Sequence, residues 1–348
     1  MDKLQDILES VAVPGNLLIS ELSSYRTIPM RRRGFMKAVG GYCVVIPLKR
    51  AEESRPSKCI RLWHSDGAEN KRLHAFSQRL SSILRSEPDP SFFCRQDYYE
   101  QALRLSDGSV IPATVMDWMS HSMDLWLSSN DKPTAHEYDS LARQMRELSA
   151  YMKENGVSHG DLSPANILVG PDLKIKLIDF DSLDWPSKGL RCCMPSIAGA
   201  YNFNRRERRE QPRAGNDDHL AQQLIHLMLL VYSKRPSLNN SDTGDEALLF
   251  DESDIASPAA FRASHSYKVL ADMADPEVNH YLGELEYALR VPYKDIKPLC
   301  DIVFKGSTIR NRVLHPALYC GKCGRRFESD EELYCPVCGK KRERVSFD

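Results

Sequence analysis

The sequence predicts an α+β protein: a β-rich N-terminal part, a helical C-terminal part and a small cysteine-bearing module at the end. Three observations carry this. Strand-like runs gather early, at 41–48, 58–63 and 111–116. Helical patterns dominate afterwards, most clearly over 134–155. Two Cys-x-x-Cys pairs close the chain, Cys320/Cys323 and Cys335/Cys338. A length of 348 residues accommodates a two-lobed domain plus such a module. The formal net charge of −1 offers no global field for nucleic acid or membrane, and neither is expected as a partner. The residues Met1 to Asp6 lack both the basic and the apolar region of a signal peptide. With ten cysteines and no secretory features, a cytoplasmic location and reduced or metal-bound thiols are expected.

Leu4, Ile7, Leu8 and Val11 recur at helical spacing until Pro14-Gly15, predicting a short amphipathic helix in an N-terminal extension, 1–24. The runs 41–48 and 58–63 flank a polar stretch and read as a hairpin. Leu73, Phe76, Leu80 and Ile83 share one face of a following helix. A strand over 111–116 then ends at Asp117-Trp118-Met119. Thr134 and Glu137 form a capping box, Leu141, Met145, Leu148 and Met152 make an apolar stripe, and Asn155-Gly156 stop the helix. The segment 218–232 is apolar on nearly every side, which predicts burial. The acidic stretch 239–260 reads as a surface loop, and further helices fill 265–305.

The chemistry lies in His159-Gly160-Asp161-Leu162-Ser163-Pro164-Ala165-Asn166 and, beyond a strand, Asp179-Phe180-Asp181. Asn166 follows Asp161 by five residues, and Asp179 follows Asn166 by thirteen. Such groups can meet around a phosphate: one acid accepts a proton from an attacking hydroxyl, while the amide and the other acid hold magnesium. Any one alone would be an ordinary turn residue. In register between the apolar runs 167–169 and 175–178, together they predict a phosphotransfer site.

This pattern resembles the catalytic and metal-binding loops of the eukaryotic-type protein kinase superfamily, over roughly residues 25–310. It is close to a bacterial kinase-like group with an arginine on the lysine strand, a Trp-containing hinge after a Met, and an Asp-Phe/Tyr-Asp motif. The resemblance implies a bilobal fold with a β-rich N-lobe over 25–117 and a helical C-lobe over 118–310. Asp161 would be the catalytic base, with Asn166 and Asp179 as Mg2+ ligands. ATP would lie against Cys59, Met116 and the hinge residues Asp117, Trp118 and Met119, under a degenerate glycine loop ending in Gly40-Gly41. Arg61 would occupy the phosphate-binding lysine's place, since Cys59 and Arg61 share one face of their strand. The resemblance also implies a phosphatase and a von Willebrand A-type protein as partners in bacterial signalling, and Asp218 as the structural acid opening the central helix.

Several positions depart from the superfamily. Gly160 replaces the arginine that receives a phosphorylated activation loop, and Ser163 replaces a phosphoryl-stabilising lysine. Gln78 or Glu69 are the candidates for the acid that normally pairs with the strand cation. These departures keep a nucleotide-binding pseudokinase scaffold open as an alternative. His-Gly-Asp and Asp-Phe-Asp also occur in kinases of aminoglycosides and choline, so a small-molecule acceptor is the other alternative. Asp179 and Asp218, however, are 39 residues apart, which leaves room for a protein-kinase-like activation segment and favours a Ser/Thr protein substrate. Arg205, Arg206, Arg208, Arg209 and Arg213 in that segment suggest docking of an acidic peptide.

In the tail, Cys320-x-x-Cys323 and Cys335-x-x-Cys338 stand eleven residues apart, each followed by glycine. Four soft thiolates at this spacing predict a tetrahedral structural Zn2+ ribbon over 316–348, serving stability or partner docking.

Overall fold

A computed structural model describes residues 2–30, 34–65, 68–86, 92–119, 121–129, 132–192, 201–205, 217–239, 249–305, 315–316, 335–338 and 344–345. The chain divides into two compact units, Met1–Val303 and Phe304–Asp348. The first is α+β, sheet-rich in its N-terminal part and helical in its C-terminal part.

The larger sheet contains β1 (Arg26–Thr27), β2 (Ala38–Val39), β3 (Cys43–Lys49), β4 (Lys58–Trp63), β5 (Gln96–Arg104) and β6 (Val110–Asp117). Its order is β1-β3-β4-β6-β5, with β2 also pairing β3. The hairpin expected from 41–48 and 58–63 is the antiparallel β3–β4 pair, in which Val45 faces Arg61 and Pro47 faces Cys59. Strand β4 then pairs β6, setting Cys59 opposite Met116. One face of this sheet is covered by α1 (Lys3–Ala12), whose Ile7 and Val11 join Val44, Ile46, Leu48, Ile60 and Leu62 in a single core. The helix pattern read from the sequence is therefore part of the sheet's own packing.

Helix α2 (Ala68–Ser86) buries Leu73, Phe76, Leu80 and Ile83, as their spacing predicts. Its chain returns through Phe93, which bridges to Leu177, while Cys94 N donates to Leu177 O at 3.0 Å. This short crossing ties the sheet-rich part to the strand that leads into Asp179.

The C-terminal part starts with β7 (His121–Ser122), α3 (Met123–Leu127) and α4 (Ala135–Asn155). Both arms of the Thr134–Glu137 capping box form, and Gly156 ends α4 in the left-handed conformation at φ 59°. Strands β8 (Ile167–Val169) and β9 (Ile175–Leu177) pair antiparallel and frame the loop between the two motifs. Gln144 of α4 grips their turn, donating to Leu173 O and accepting from Ile175 N. Helix α5 (His219–Lys234) is buried continuously from Leu220 to Tyr232, as its apolar surround requires. Then come α6 (Pro258–Ala263), α7 (His265–Asp272) and α8 (Pro276–Arg290).

The expectation of a surface loop over 239–260 needs correction at its described ends. Asn239 is buried and donates to Leu127 O and to the Tyr138 hydroxyl, and Phe250 and Ile255 enter the core. In the second unit, β10 (His315–Pro316) pairs antiparallel with β11 (Arg344–Val345). Among the described residues, no helix is long and apolar enough to cross a membrane.

Candidate nucleotide and phosphotransfer site

The motif loop is suspended from one buried carboxylate. Asp218, at the N-terminus of α5, does not cap its own helix. Its Oδ2 instead accepts from Ser158 Oγ at 2.9 Å and His159 N at 2.6 Å, and its Oδ1 accepts from Gly160 N at 2.9 Å. Those amides would otherwise be unpaired in a region closed to water, where each orphan costs about 1–3 kcal/mol. Gly160 takes φ 77°, a conformation that glycine reaches without the strain a side chain would bring. His159 Nε2 donates to Ile178 O at 2.8 Å, and Nδ1 accepts from Asp161 N at 3.3 Å. One neutral tautomer satisfies both bonds. The histidine thereby fastens the first motif to the strand carrying the second.

Asn166 makes the next link. Its Nδ2 donates to Asp161 O at 2.8 Å and to Asp161 Oδ2 at 3.1 Å, and its backbone O accepts from Ile178 N at 3.0 Å. With Nδ2 committed, Oδ1 accepts no hydrogen bond among the described residues and is the atom left for a cation. Asp179 follows directly, at φ 61° and ψ 68°. Asp tolerates this left-handed conformation better than most side chains, and such positions gather where geometry is functional. Phe180 turns inward against Phe93 and His159. Asp161, Asn166 and Asp179 are thus joined by a continuous run of hydrogen bonds and backbone.

Arg61 points into this group from β4. Its Nη1 and Nη2 donate to Asp181 Oδ1 and Oδ2 at 3.1 and 2.6 Å, Nη2 also reaches Asp179 Oδ1 at 3.3 Å, and Nε meets Cys43 Sγ at 3.1 Å. The guanidinium also stacks over Trp63, at 5.6 Å from the ring centroid. The side chains of Arg61 and Asp181 are only 9% and 11% exposed, whereas that of Asp179 is 47% exposed. Burial pushes the Asp181 carboxyl up from its ordinary pKa, Arg61 pulls it back, and the neighbouring Asp179 charge raises it further.

Two expectations are corrected here. Gln78 is exposed on the outer side of α2 and is no partner for Arg61; the side chain of Glu69 lies outside the described residues. Sequence reading gave Asp181 no role, although its spacing from Asp179 was the available signal: residues two apart across a turn can converge on one fork-shaped donor. Arg205 also leaves the proposed docking set. Its Nη1 donates to Ala288 O and Val291 O at 3.2 and 2.6 Å, closing the C-terminus of α8. Arg206, Arg208, Arg209 and Arg213 lie outside the described residues.

Around the expected base-binding end, Cys59 and Met116 are direct strand partners, and Cys94 Sγ lies 3.9 Å from Asp117 O. Burial pushes the Cys59 thiol to about 12 and the Cys94 thiol to about 11, so both are neutral, buried thiols. Asp117 pairs with Lys58 at 2.6 Å, and Trp118 N donates to Ser57 O at 3.0 Å. Met119 lies close to Gly170, where an added Cβ would meet its Cε at 3.3 Å. The candidate glycine loop is a tight exposed turn: Gly40 N donates to Cys43 O at 2.8 Å, and His64 Nε2 donates to Gly40 O at 3.0 Å.

Among the described residues, no group of three or more His, Cys, Asp or Glu forms a metal cluster. The candidate donors, the Asn166 amide oxygen and the Asp179 carboxylate, are hard oxygens. They suit magnesium, which ordinarily takes one or two protein ligands and completes its shell with phosphate and water. Of the four tail thiols, Cys335 is buried with Cys338 packed against it, while Cys320 and Cys323 lie outside the described residues.

No family model matches the chain. A local similarity links it to the maternal embryonic leucine zipper kinases of Xenopus laevis and Xenopus tropicalis, each 34% identical over 73 residues. That stretch is 20% of this chain and 11% of each relative's length, so the chain spans a small fraction of those proteins.

Proposed function

We propose that the chain is an ATP- and Mg2+-dependent phosphotransferase of bilobal protein-kinase-like fold, acting on Ser or Thr hydroxyls of a protein. Its lobes would be 25–117 and 118–310, with a zinc ribbon over 316–348. The observation that supports this most is the bonded run from Asp161 through Asn166 to Ile178 and Asp179, hung from Asp218. A local similarity to kinases adds to it, as does the 39-residue interval from Asp179 to Asp218.

In this reading Asp161 orients the acceptor hydroxyl and accepts its proton as the new oxygen–phosphorus bond forms and ADP departs. Asn166 fixes the Asp161 carboxylate by its Nδ2 bond and, with Asp179, holds the cation. Magnesium, when bound, supplies neutralisation of phosphate charge. Cys59, Cys94 and Met116 offer an apolar wall to the purine. In the tail, Cys320, Cys323, Cys335 and Cys338 hold a structural Zn2+ as thiolates.

One observation favours a second reading. Arg61 is fixed by Asp181 and Asp179, an arrangement that would equally serve a scaffold that keeps the fold without catalysis. Transfer of labelled γ-phosphate from Mg-ATP to the chain itself and to generic acidic and basic proteins separates the two. Phosphotransfer predicts label with the intact chain, a loss of about 100-fold or more in Asp161→Asn, and no turnover in Asp179→Ala. Full turnover in either variant would refute the assignment.

A further inference from the structure

Arg61 holds two carboxylates by ties of different kinds. The tie to Asp181 is a parallel double bond of 3.1 and 2.6 Å between side chains that are both nearly closed to solvent. The tie to Asp179 is single, 3.3 Å long, and reaches a side chain half in water. A buried bidentate pair is far harder to break than a solvated single contact, which ions and solvent readily replace.

A cation on β4 needs a fixed anion to keep one orientation. Helix α2 does not provide it from its described inner face, which carries Leu73, Phe76, Ser77, Leu80, Ser81 and Leu84. The anion comes from the metal loop itself. Asp181 lies two residues beyond Asp179, so the same guanidinium that fixes one acid necessarily borders the other.

We propose that Asp181 is a positioning residue: it occupies Arg61, binding the metal loop to strand β4, and so keeps the guanidinium from capturing Asp179. This rests on the phosphotransfer reading and deepens it. Conformational control at such a site runs from the sheet directly to the metal loop, without an acid among the described inner-face side chains of α2. With Asp181 neutralised, the whole guanidinium charge turns to Asp179, and a divalent cation must compete for the same oxygens. The loss then appears first in metal affinity and only secondarily in affinity for the nucleotide base.

Calorimetric titration of Mg2+ into the full chain, with saturating adenylyl imidodiphosphate, tests this. Asp181→Asn is expected to weaken Mg2+ binding at least tenfold, with analogue affinity in the absence of metal changing less than threefold. The double variant Arg61→Met/Asp181→Leu removes the competitor together with its partner and leaves no buried charge alone. It should bind Mg2+ at least threefold more tightly than Asp181→Asn. If Asp181→Asn does not fold, the double variant is read against the wild-type chain, and a tenfold weaker Mg2+ site in it overturns the proposal. Unchanged Mg2+ affinity in Asp181→Asn, or no recovery in the double variant, also overturns it. A wild-type chain that takes up neither Mg2+ nor the analogue overturns the phosphotransfer reading itself, and this proposal with it.

Discussion

Arg61 carries a permanent charge into a nearly water-free position, and its stability there depends on Asp181. Removing one member of such a pair leaves the other charged and unsolvated, at a cost of about 3–5 kcal/mol, whereas replacing both by apolar groups is often close to neutral. Arg61→Met should therefore unfold at markedly lower urea, and Arg61→Met/Asp181→Leu should recover most of the loss. Equal midpoints for single and double variants would show that the pair is not coupled. His226 makes a different residue-scale case. It lies within α5, 4.5 Å from the Tyr281 ring, and burial, with the Arg146 charge adding, lowers its pKa to about 3. The unfolded chain protonates this imidazole near pH 6.5 while the native chain keeps it neutral, so its contribution is present above pH 6.5 and is lost as pH falls toward 3. Between pH 7 and pH 5 that loss is about 2 kcal/mol. Urea unfolding of His226→Leu should show a correspondingly flatter dependence on pH, and a slope equal to wild type would exclude His226 as its source.

The elements differ in how openly the sequence announces them, for physical reasons. Helices α4 and α5 were legible because their signals are local: a capping box in one, an all-round apolar surface in the other. Strand β5 was not. It is the edge of the sheet, and Gln96-Asp97-Tyr98-Tyr99-Glu100-Gln101 presents mostly polar side chains, so the alternation that marks a half-buried strand is missing. The segment between β1 and β2 was equally hidden, because the chain leaves the edge of β3 at Thr27 and rejoins it at Ala38. The motif loop was legible in its residue types, but its suspension depends on a partner 58 to 60 positions away, which no local pattern contains. Asp218→Ala tests that suspension. Three donors lose their acceptor, at about 1–3 kcal/mol each when buried. The amides of His159 and Gly160 should exchange hydrogen much faster, and phosphate transfer should fall although Asp218 meets no phosphate. Unchanged protection would mean that the loop is held by other contacts.

At the scale of the whole molecule, the two units face different stability problems. The unit Met1–Val303 buries a large apolar core in its sheet and an almost wholly buried helix α5. The unit Phe304–Asp348 is too short to bury a comparable core, and chains of this size commonly depend on a metal or a disulfide. Its two Cys-x-x-Cys pairs were its clearest sequence feature, and Cys335 with Cys338 form the only apolar cluster found there among the described residues. If the thiolates hold zinc, binding energy is folding energy for this unit alone. The purified chain should then release one zinc per molecule on denaturation, and Cys335→Ser/Cys338→Ser should release none. Chelation should increase proteolysis within 304–348 while the urea transition of the rest stays in place. A chain without zinc whose tail resists protease as well as before would rule the metal out as the tail's support. A transition that moves throughout the protein on chelation would instead mean that the two units fold as one.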